Sequence, residues 1–307
     1  PRSTLPLTLF PYTTLFRSLS CQSQLQAVGL LAEVLRKIPA AEVEFVIRVL
    51  TGEFRIGSAG GVAEEAVAVA FAAAAADVAQ AHMLTGDLGE SALLAKRGQL
   101  SEARLVAGTP IKVMLASPAA DGEAIQSKLG GSGAFWVEDK FDGIRAQLHV
   151  SEGEVSLFSR DQRSLGQEFP EIILAGIQLP DIVLDGEIIA YEEGRRLTFF
   201  DLQKRLGRKQ QHRGQGNLFH VQETPVRFLA FDLLRLGGED LWAHSLSERR
   251  AVLESVALKP PFSLVEVDRM EGPEELEKAF KRSRARGNEG LIVKDPEIGR
   301  ASCRERV

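Results

Sequence analysis

From residue 22 to about 109, apolar positions recur at three- and four-residue steps. In LQAVGLLAEVLRKI they are Leu25, Val28, Leu31, Val34 and Leu35, and Pro39 closes the run, so a helix is expected. AEVEFVIRVLTGEF predicts a second helix ending at Thr51–Gly52, and further helices are expected over 62–84 and around 100–107. Two stretches, LTGEFRIG (50–57) and LTGDLGES (84–91), join helices through Thr-Gly-acid turns. Such turns present backbone amides that could hold a phosphate, or they simply terminate a helix. After Pro110 the period changes from helical to alternating. FWVEDKFDGIRAQLHVSEGEVSLFSR reads as strand, turn, strand with SEGE as the hairpin loop; DIVLDGEIIAYEEGRRLTF repeats the form. VRFLAFDLLRLGGEDLW predicts a third hairpin turning at LGGED. SLSERRAVLESV opens with a capping box, Ser245 to Glu248, and GPEELEKAFKRSRARG has Pro273 in its first turn and Gly287 past its end; both are expected helices. EGLIVKD reads as a buried strand. Antiparallel hairpins with intervening helices make an α+β domain, not a doubly wound one.

Composition narrows this picture without deciding it. The 307 residues suffice for two domains, and 44% hydrophobic with 26% charged residues is ordinary for a globular chain. A formal net charge of -5 means any polyanion surface must be a local patch. Cys21 and Cys303 lie near the two ends, so a disulfide framework or cysteine metal site is not expected, which fits a reducing cytoplasm. His82, His149, His212, His220 and His244 are scattered without ligand spacing and read as surface or lightly buried imidazoles. The alanine-rich run from Ala66 is broken by Asp77, Gln80 and His82 and reads as a core helix, so no membrane partner is expected. Prolines interrupt the apolar opening segment and no cleavage site follows, which argues against export. PYTTLFRS (11–18) and EIGRASCRERV (297–307) resemble translated adapter tracts. Residues 1–18 and 297–307 are accordingly expected to be foreign.

Candidate chemistry centres on EDKFDGIRAQLH, beginning at Glu138. A Lys-x-Asp-Gly tetrapeptide occurs by chance in roughly one chain in fifteen of this length, so its company must decide. That company is ordered: FSRDQ (158–162), LDGEIIAY (184–191), FFDLQKRLGRK (199–209), FLAFDLL (228–234) and EGLIVKD (289–295). In order and spacing the set resembles the ATP-dependent DNA ligases of the lysine nucleotidyltransferase superfamily, from motif I to motif IV. The helical region with its two Thr-Gly turns is similar to their DNA-binding domain. The resemblance implies an all-α N-terminal DNA-binding domain (19–109, partial) and an α+β adenylation domain (110–296), a nucleotidyltransferase fold of the ATP-grasp-like kind.

The resemblance also implies roles for particular residues. Lys140 would attack the α-phosphorus of ATP to give lysyl-AMP, on a turn shaped by Asp142 and Gly143. An ammonium is no nucleophile, and positive charge from Arg145, Arg160, Lys294 or a metal favours the neutral amine. Glu138 would belong to the adenine pocket and Phe231 would stack on the base, while Arg145 and Arg160 would serve ribose and phosphate. Glu187 and Glu289 would hold Mg²⁺ (or Mn²⁺), Glu187 also touching the ribose, and Lys294 would neutralise the α-phosphate. Read singly, Glu187 fits a hairpin-turn acid, Glu289 a residue after a helix end and Phe231 a core side chain. The stretch 195–213 carries seven Lys/Arg against one acid; Arg195, Arg196, Lys204, Arg205, Arg208 and Lys209 are expected on a DNA backbone.

The implied partner is nicked duplex DNA, met by a monomer in the cytoplasm, nucleoid-associated in a prokaryote. Family members continue past motif IV into motif V and an OB-fold, neither of which can be found in the sequence. The expectation is a truncated chain of impaired catalysis. Rival readings are an RNA ligase or capping-type nucleotidyltransferase, and a catalytically silent fragment that binds nicked DNA.

Overall fold

The computed structural model describes residues 60–129, 134–192, 194–203 and 224–297. The chain divides into two compact units, Pro1–Ala59 and Gly60–Val307, and every described residue belongs to the second. The helices expected at 22–50 and the LTGEFRIG turn lie outside the described residues, as do Lys204, Arg205, Arg208 and Lys209.

Three helices come first: α1 (Gly60–Phe71), α2 (Ala75–Thr85) and α3 (Leu88–Arg97). The single helix expected over 62–84 is thus two. Ala72 takes a left-handed φ of 52° and Ala73 N–H donates back to Ala68 O (2.9 Å), a helix closure of a kind glycine usually marks. The Thr-Gly-Asp turn at 85–87 spends its amides on helix ends. Gly86 N–H donates to His82 O, and the Asp87 carboxylate accepts from Gly89 N–H (2.6 Å) and Glu90 N–H (3.1 Å), capping α3. That is the terminator reading of the turn. The helix expected around 100–107 is a single 3₁₀ turn, Leu100–Glu102, followed by an irregular connector.

Two sheets follow. The smaller is antiparallel and three-stranded: β1 (Phe135–Lys140) lies between β10 (Gly290–Lys294) and β9 (Asp268–Met270). Phe135 and Val137 of β1, with Leu291 and Val293 of β10, face α4 (Gly122–Leu129) and α7 (Pro273–Ala285) in one apolar cluster. Strand alternation then puts Glu138, Lys140 and Lys294 on the opposite face.

The larger sheet has the order β3-β2-β4-β6-β7, from β2 (Ile144–Ser151), β3 (Glu154–Ser159), β4 (Ile182–Glu192), β6 (Val226–Leu236) and β7 (Glu239–Asp240). The two-residue β5 (Arg195–Arg196) pairs with β4, and β8 (Phe262–Leu264) runs parallel to β6. One face carries Ala146, Leu148, Leu184, Ile188 and Phe228 into the main core with α5 (Pro170–Gly176) and α6 (Leu246–Ser255). Two points depart from the expected hairpins. The segment before SEGE is two strands, β1 and β2, in different sheets. DGE at 185–187 is no turn but lies inside the eleven-residue β4, so Glu187 is not a hairpin-turn acid.

The other face of the large sheet is divided. At one end the connector and α2 cover Val183 and Leu234, which share a buried cluster with Leu84, Leu105 and Ile111. Side chains latch the connector there. Gln147 Oε1 accepts from Ile111 N–H (3.1 Å), its Nε2 donates to Ile111 O (2.8 Å), and Arg235 Nη1 donates to Leu105 O (2.8 Å). Gly108 N–H donates to His149 Nδ1 (3.2 Å), so His149 is a neutral tautomer whose Nε2–H meets Gln147 Oε1 (3.3 Å).

His149 is a core residue at 1% exposure, and burial pushes its pKa down to about 4. A depressed base contributes stability above its unfolded value and loses it as pH falls through the folded one. Stability should therefore drop by about 3 kcal/mol between pH 6.5 and 4 through this group alone. Denaturant unfolding across that range checks it: the total loss of stability should be smaller by this amount in His149→Gln.

Candidate active site

The uncovered end of the same face forms the floor of a cleft of about 1100 Å³, with the small sheet as its other wall. The β4–β6 register passes over Phe231 and Leu234, two irregularities that leave each without a cross-strand partner. Phe231 thereby joins Ile189, Leu229 and Val265 in an apolar patch on the cleft side. It is not a residue of the main core.

Lys140, Glu138, Arg145, Arg160, Glu187, Phe231, Glu289 and Lys294 all line this cleft. They come from five strands and two loops spread over about half the chain, so no local pattern forces them together. Lys140 ends β1, where the chain leaves the small sheet through Phe141, Asp142 and Gly143 to enter the large one. Gly143 is required there: a Cβ would stand 2.5 Å from Ile188 O and 2.9 Å from Glu187 Cγ. The lysine and Glu187 therefore sit on two segments in close contact.

Four cations of the cleft, Lys140, Arg145, Arg160 and Lys294, stand beside carboxylates. Lys140 Nζ contacts Glu289 Oε2, and Glu289 N–H donates to Lys140 O (2.9 Å). Lys294 Nζ, 3% exposed as a residue, donates to both oxygens of buried Glu138 (2.9 and 2.8 Å). Arg145 forks onto the fully buried Asp185 (3.2 and 2.9 Å) and donates to Met114 O (2.6 Å). Exposed Arg160 lies 3.7 Å from Asp161. The cations expected to favour a neutral Lys140 are thus each beside a carboxylate. Phe231 lies under two of them, with Arg145 Cζ 5.3 Å and Lys294 Nζ 4.8 Å from its ring centroid.

Glu187 differs from the other acids. Burial pushes its carboxyl up to about 8; the Arg145 and Lys140 charges pull it down, and Asp185 and Asp142 push it up. It holds a proton at neutral pH unless a cation supplies counter-charge. A divalent cation would do so, and two carboxylates on a water-accessible cleft suit Mg²⁺, which takes few protein ligands and keeps its waters. Among the described residues no group of three or more His, Cys, Asp or Glu is arranged to hold a metal ion.

Several participants carried no signal in the sequence. Asp185 is the buried anchor of Arg145, Asp139 pairs with Arg286 (2.7 Å), and Asn288 is buried at 2% exposure in the turn before Glu289. Arg196, expected on DNA, engages that turn: it meets Asn288 Oδ1 and donates to Arg286 O (3.0 Å). Arg195 is exposed.

Residues 113–299 match the family described as ATP dependent DNA ligase domain, which is more than half the chain. The chain belongs to the ATP-dependent DNA ligase family. A protein of Opitutus terrae named "Probable DNA ligase" is 35% identical over 92% of this chain and 33% of its own length. A DNA ligase of Methanothermobacter thermautotrophicus is 36% identical over 90% of this chain and 50% of its own. This chain spans about half, or less, of the relatives it matches. Among solved structures, the ligase domain of M. tuberculosis LigD aligns at 28% identity over 63% of this chain and 57% of that one, with a TM-score of 0.47. No helix among the described residues is long and apolar enough to cross a membrane.

Proposed function

We propose that the chain is the adenylating part of an enzyme that seals nicks in duplex DNA, with Lys140 as nucleophile. The observation that carries this is one amine at a strand end, opening into a cleft that gathers all eight expected residues. Lys140, once it has given up its proton, attacks the α-phosphorus of ATP; a P–N bond forms, the α–β P–O bond breaks, and pyrophosphate leaves. A 5′-phosphate oxygen at the nick then displaces the lysine and takes the AMP. The 3′-hydroxyl attacks that 5′-phosphate, forms the phosphodiester and releases AMP.

The cleft supports each role. Phe231 offers an apolar face for adenine, with Glu138 buried beside Lys294 at its edge. The polyphosphate brings negative charge to cations now matched by carboxylates, so binding exchanges one set of partners for another. Glu187 and Glu289 would hold the Mg²⁺ (or Mn²⁺), which supplies electrostatic stabilisation of the phosphates. Arg160, exposed in the lining of the cleft, would meet the phosphates as they arrive. Arg195, with Lys204, Arg205, Arg208 and Lys209, would neutralise DNA phosphates, and residues 19–109 would add helical contacts to the same duplex. The protein would act as a monomer on DNA in the cytoplasm.

Incubation with ATP, GTP or NAD labelled in the nucleoside monophosphate, with Mg²⁺, tests the proposal. The expected product is a covalent adduct from ATP that resists alkali and is released by acid, as a phosphoramidate is. Labelling from GTP alone would place the chain with the capping-type enzymes. No labelling, with nick binding retained, would leave a silent DNA-binding module.

A further inference from the structure

We infer that Arg196 is a positioning residue that clamps the turn carrying Glu289 and so fixes Glu289 against Lys140. This rests on the adenylation reading above, and it goes beyond a contact with DNA for this arginine.

Arg196 is the second residue of β5, paired with Tyr191 at the end of β4, and it is half-buried. Its side chain leaves the large sheet and reaches the turn between α7 and β10 of the small one. There Nη1 contacts the buried Asn288 Oδ1, and Nη2 donates to Arg286 O (3.0 Å). A Cβ added to Gly287 would lie 3.4 Å from Nη2, so the guanidinium is packed along the turn backbone. Its Cζ is also 5.7 Å from the ring centroid of Phe141, the residue after Lys140. One planar side chain therefore touches the turn before Glu289 and the turn after Lys140, from a strand of the opposite sheet.

Among the described residues, the other hydrogen bonds of the turn run to its own side of the cleft. Asn288 N–H donates to Ser283 O (3.1 Å), and Asn288 O accepts from Arg284 Nη1 (2.9 Å). Arg286 reaches Asp139, and Glu289 reaches Lys140 through both backbone and side chain. These bonds hold the turn to α7 and β1. Among the described residues Arg196 gives it a hydrogen-bonded tie to the large sheet, the sheet that carries Glu187. The spacing between the two acids expected on the metal, and between each and the nucleophile, depends on that tie. A fork of donors over a ring is work that arginine does and lysine does not.

Arg196→Ala in the full chain should slow covalent AMP transfer from ATP by on the order of tenfold to a hundredfold in kcat, because displacements of about 1 Å carry such costs. The KM for ATP should move by less than about threefold, since groups holding the nucleotide remain. Arg196→Lys should restore only part of the rate. Asn288→Ala should match Arg196→Ala, the double variant should be no slower than either, and Asn288→Asp, which keeps an acceptor, should stay near wild type. Circular dichroism and thermal melts establish that each variant is folded; the Asn288 pair decides the matter if Arg196→Ala is not.

A readout without ATP keeps the two proposals separable. The rate at which Lys140 is acetylated by a small acylating reagent, followed by mass spectrometry, reports whether Glu289 still covers the amine. It should rise severalfold in Arg196→Ala and to a similar degree in Glu289→Gln. If wild-type protein takes no AMP, the adenylation reading fails and this measurement still tests the clamp. An unchanged acetylation rate overturns the inference. So does wild-type AMP transfer in Arg196→Ala coupled to weaker nick binding with a shallower salt dependence, the signature of a phosphate contact.

Discussion

Lys140→Ala should abolish covalent AMP labelling, a loss of at least about a thousandfold. The size follows from what else the cleft contains. Lys294 offers the only other amine among the described residues lining it, and that amine is buried and held by both oxygens of Glu138. Arg145 and Arg160 carry guanidiniums, which do not give up a proton in proteins and cannot replace the amine. Lys140→Arg sharpens the test. It retains positive charge opposite Glu289 yet should be equally inactive, which separates the nucleophile from the ion pair. Neither change should unfold the chain: the side chains of Lys140 and Glu289 are 32% and 43% exposed, and pairs of that kind contribute under about 1 kcal/mol. Intact-mass measurement after incubation with ATP and Mg²⁺ reads the result directly. Retention of one AMP in either variant would place the nucleophile elsewhere and sink the assignment of the cleft.

Much of this was legible in the chain, and what was not has local physical reasons. The SEGE loop folds as expected because Glu152 and Gly153 both adopt positive φ, 51° and 79°, the conformation that closes a two-residue hairpin. The capping box at Ser245 and the Pro273 start are likewise local chemistry, and both helices begin where expected. LDGE was ambiguous because Asp-Gly marks turns, whereas here the glycine serves a close approach between strands. A Cβ on Gly186 would meet Phe228 Cε1 at 2.4 Å and Leu229 O at 2.6 Å, a constraint set by β6 more than forty residues away. The break at Ala72 had no marker, since alanine there adopts a conformation glycine usually supplies. Ordered motifs named the eight expected residues that the cleft gathers. They could not say that Arg196, in a basic run, would spend its guanidinium on a buried asparagine. Charge runs report composition; partners come from register, and the strands that meet here are far apart in sequence.

Breaking the Glu138–Lys294 pair should cost both stability and activity, and the two losses should separate on combining the changes. Both residues are buried, at 5% and 3% exposure, on adjacent strands of the small sheet. Lys294→Met leaves the Glu138 carboxylate buried without the ammonium that both its oxygens contact, a change that costs about 3–5 kcal/mol. Glu138→Met strands the ammonium in the same way. The double variant removes both charges and fills the space with side chains of similar length, so it should recover most of that stability. Activity should not follow. The α-phosphate would still lack the Lys294 charge, and one stabilising donor in a cleft of this kind is worth about a hundredfold to a thousandfold in rate. Urea unfolding of the four proteins gives a double-mutant cycle with a coupling energy of several kcal/mol, while AMP labelling should stay low in all three variants. A double variant that regained labelling would show the pair to be a structural strut, and the phosphate role assigned to Lys294 would then belong to another cation of the cleft.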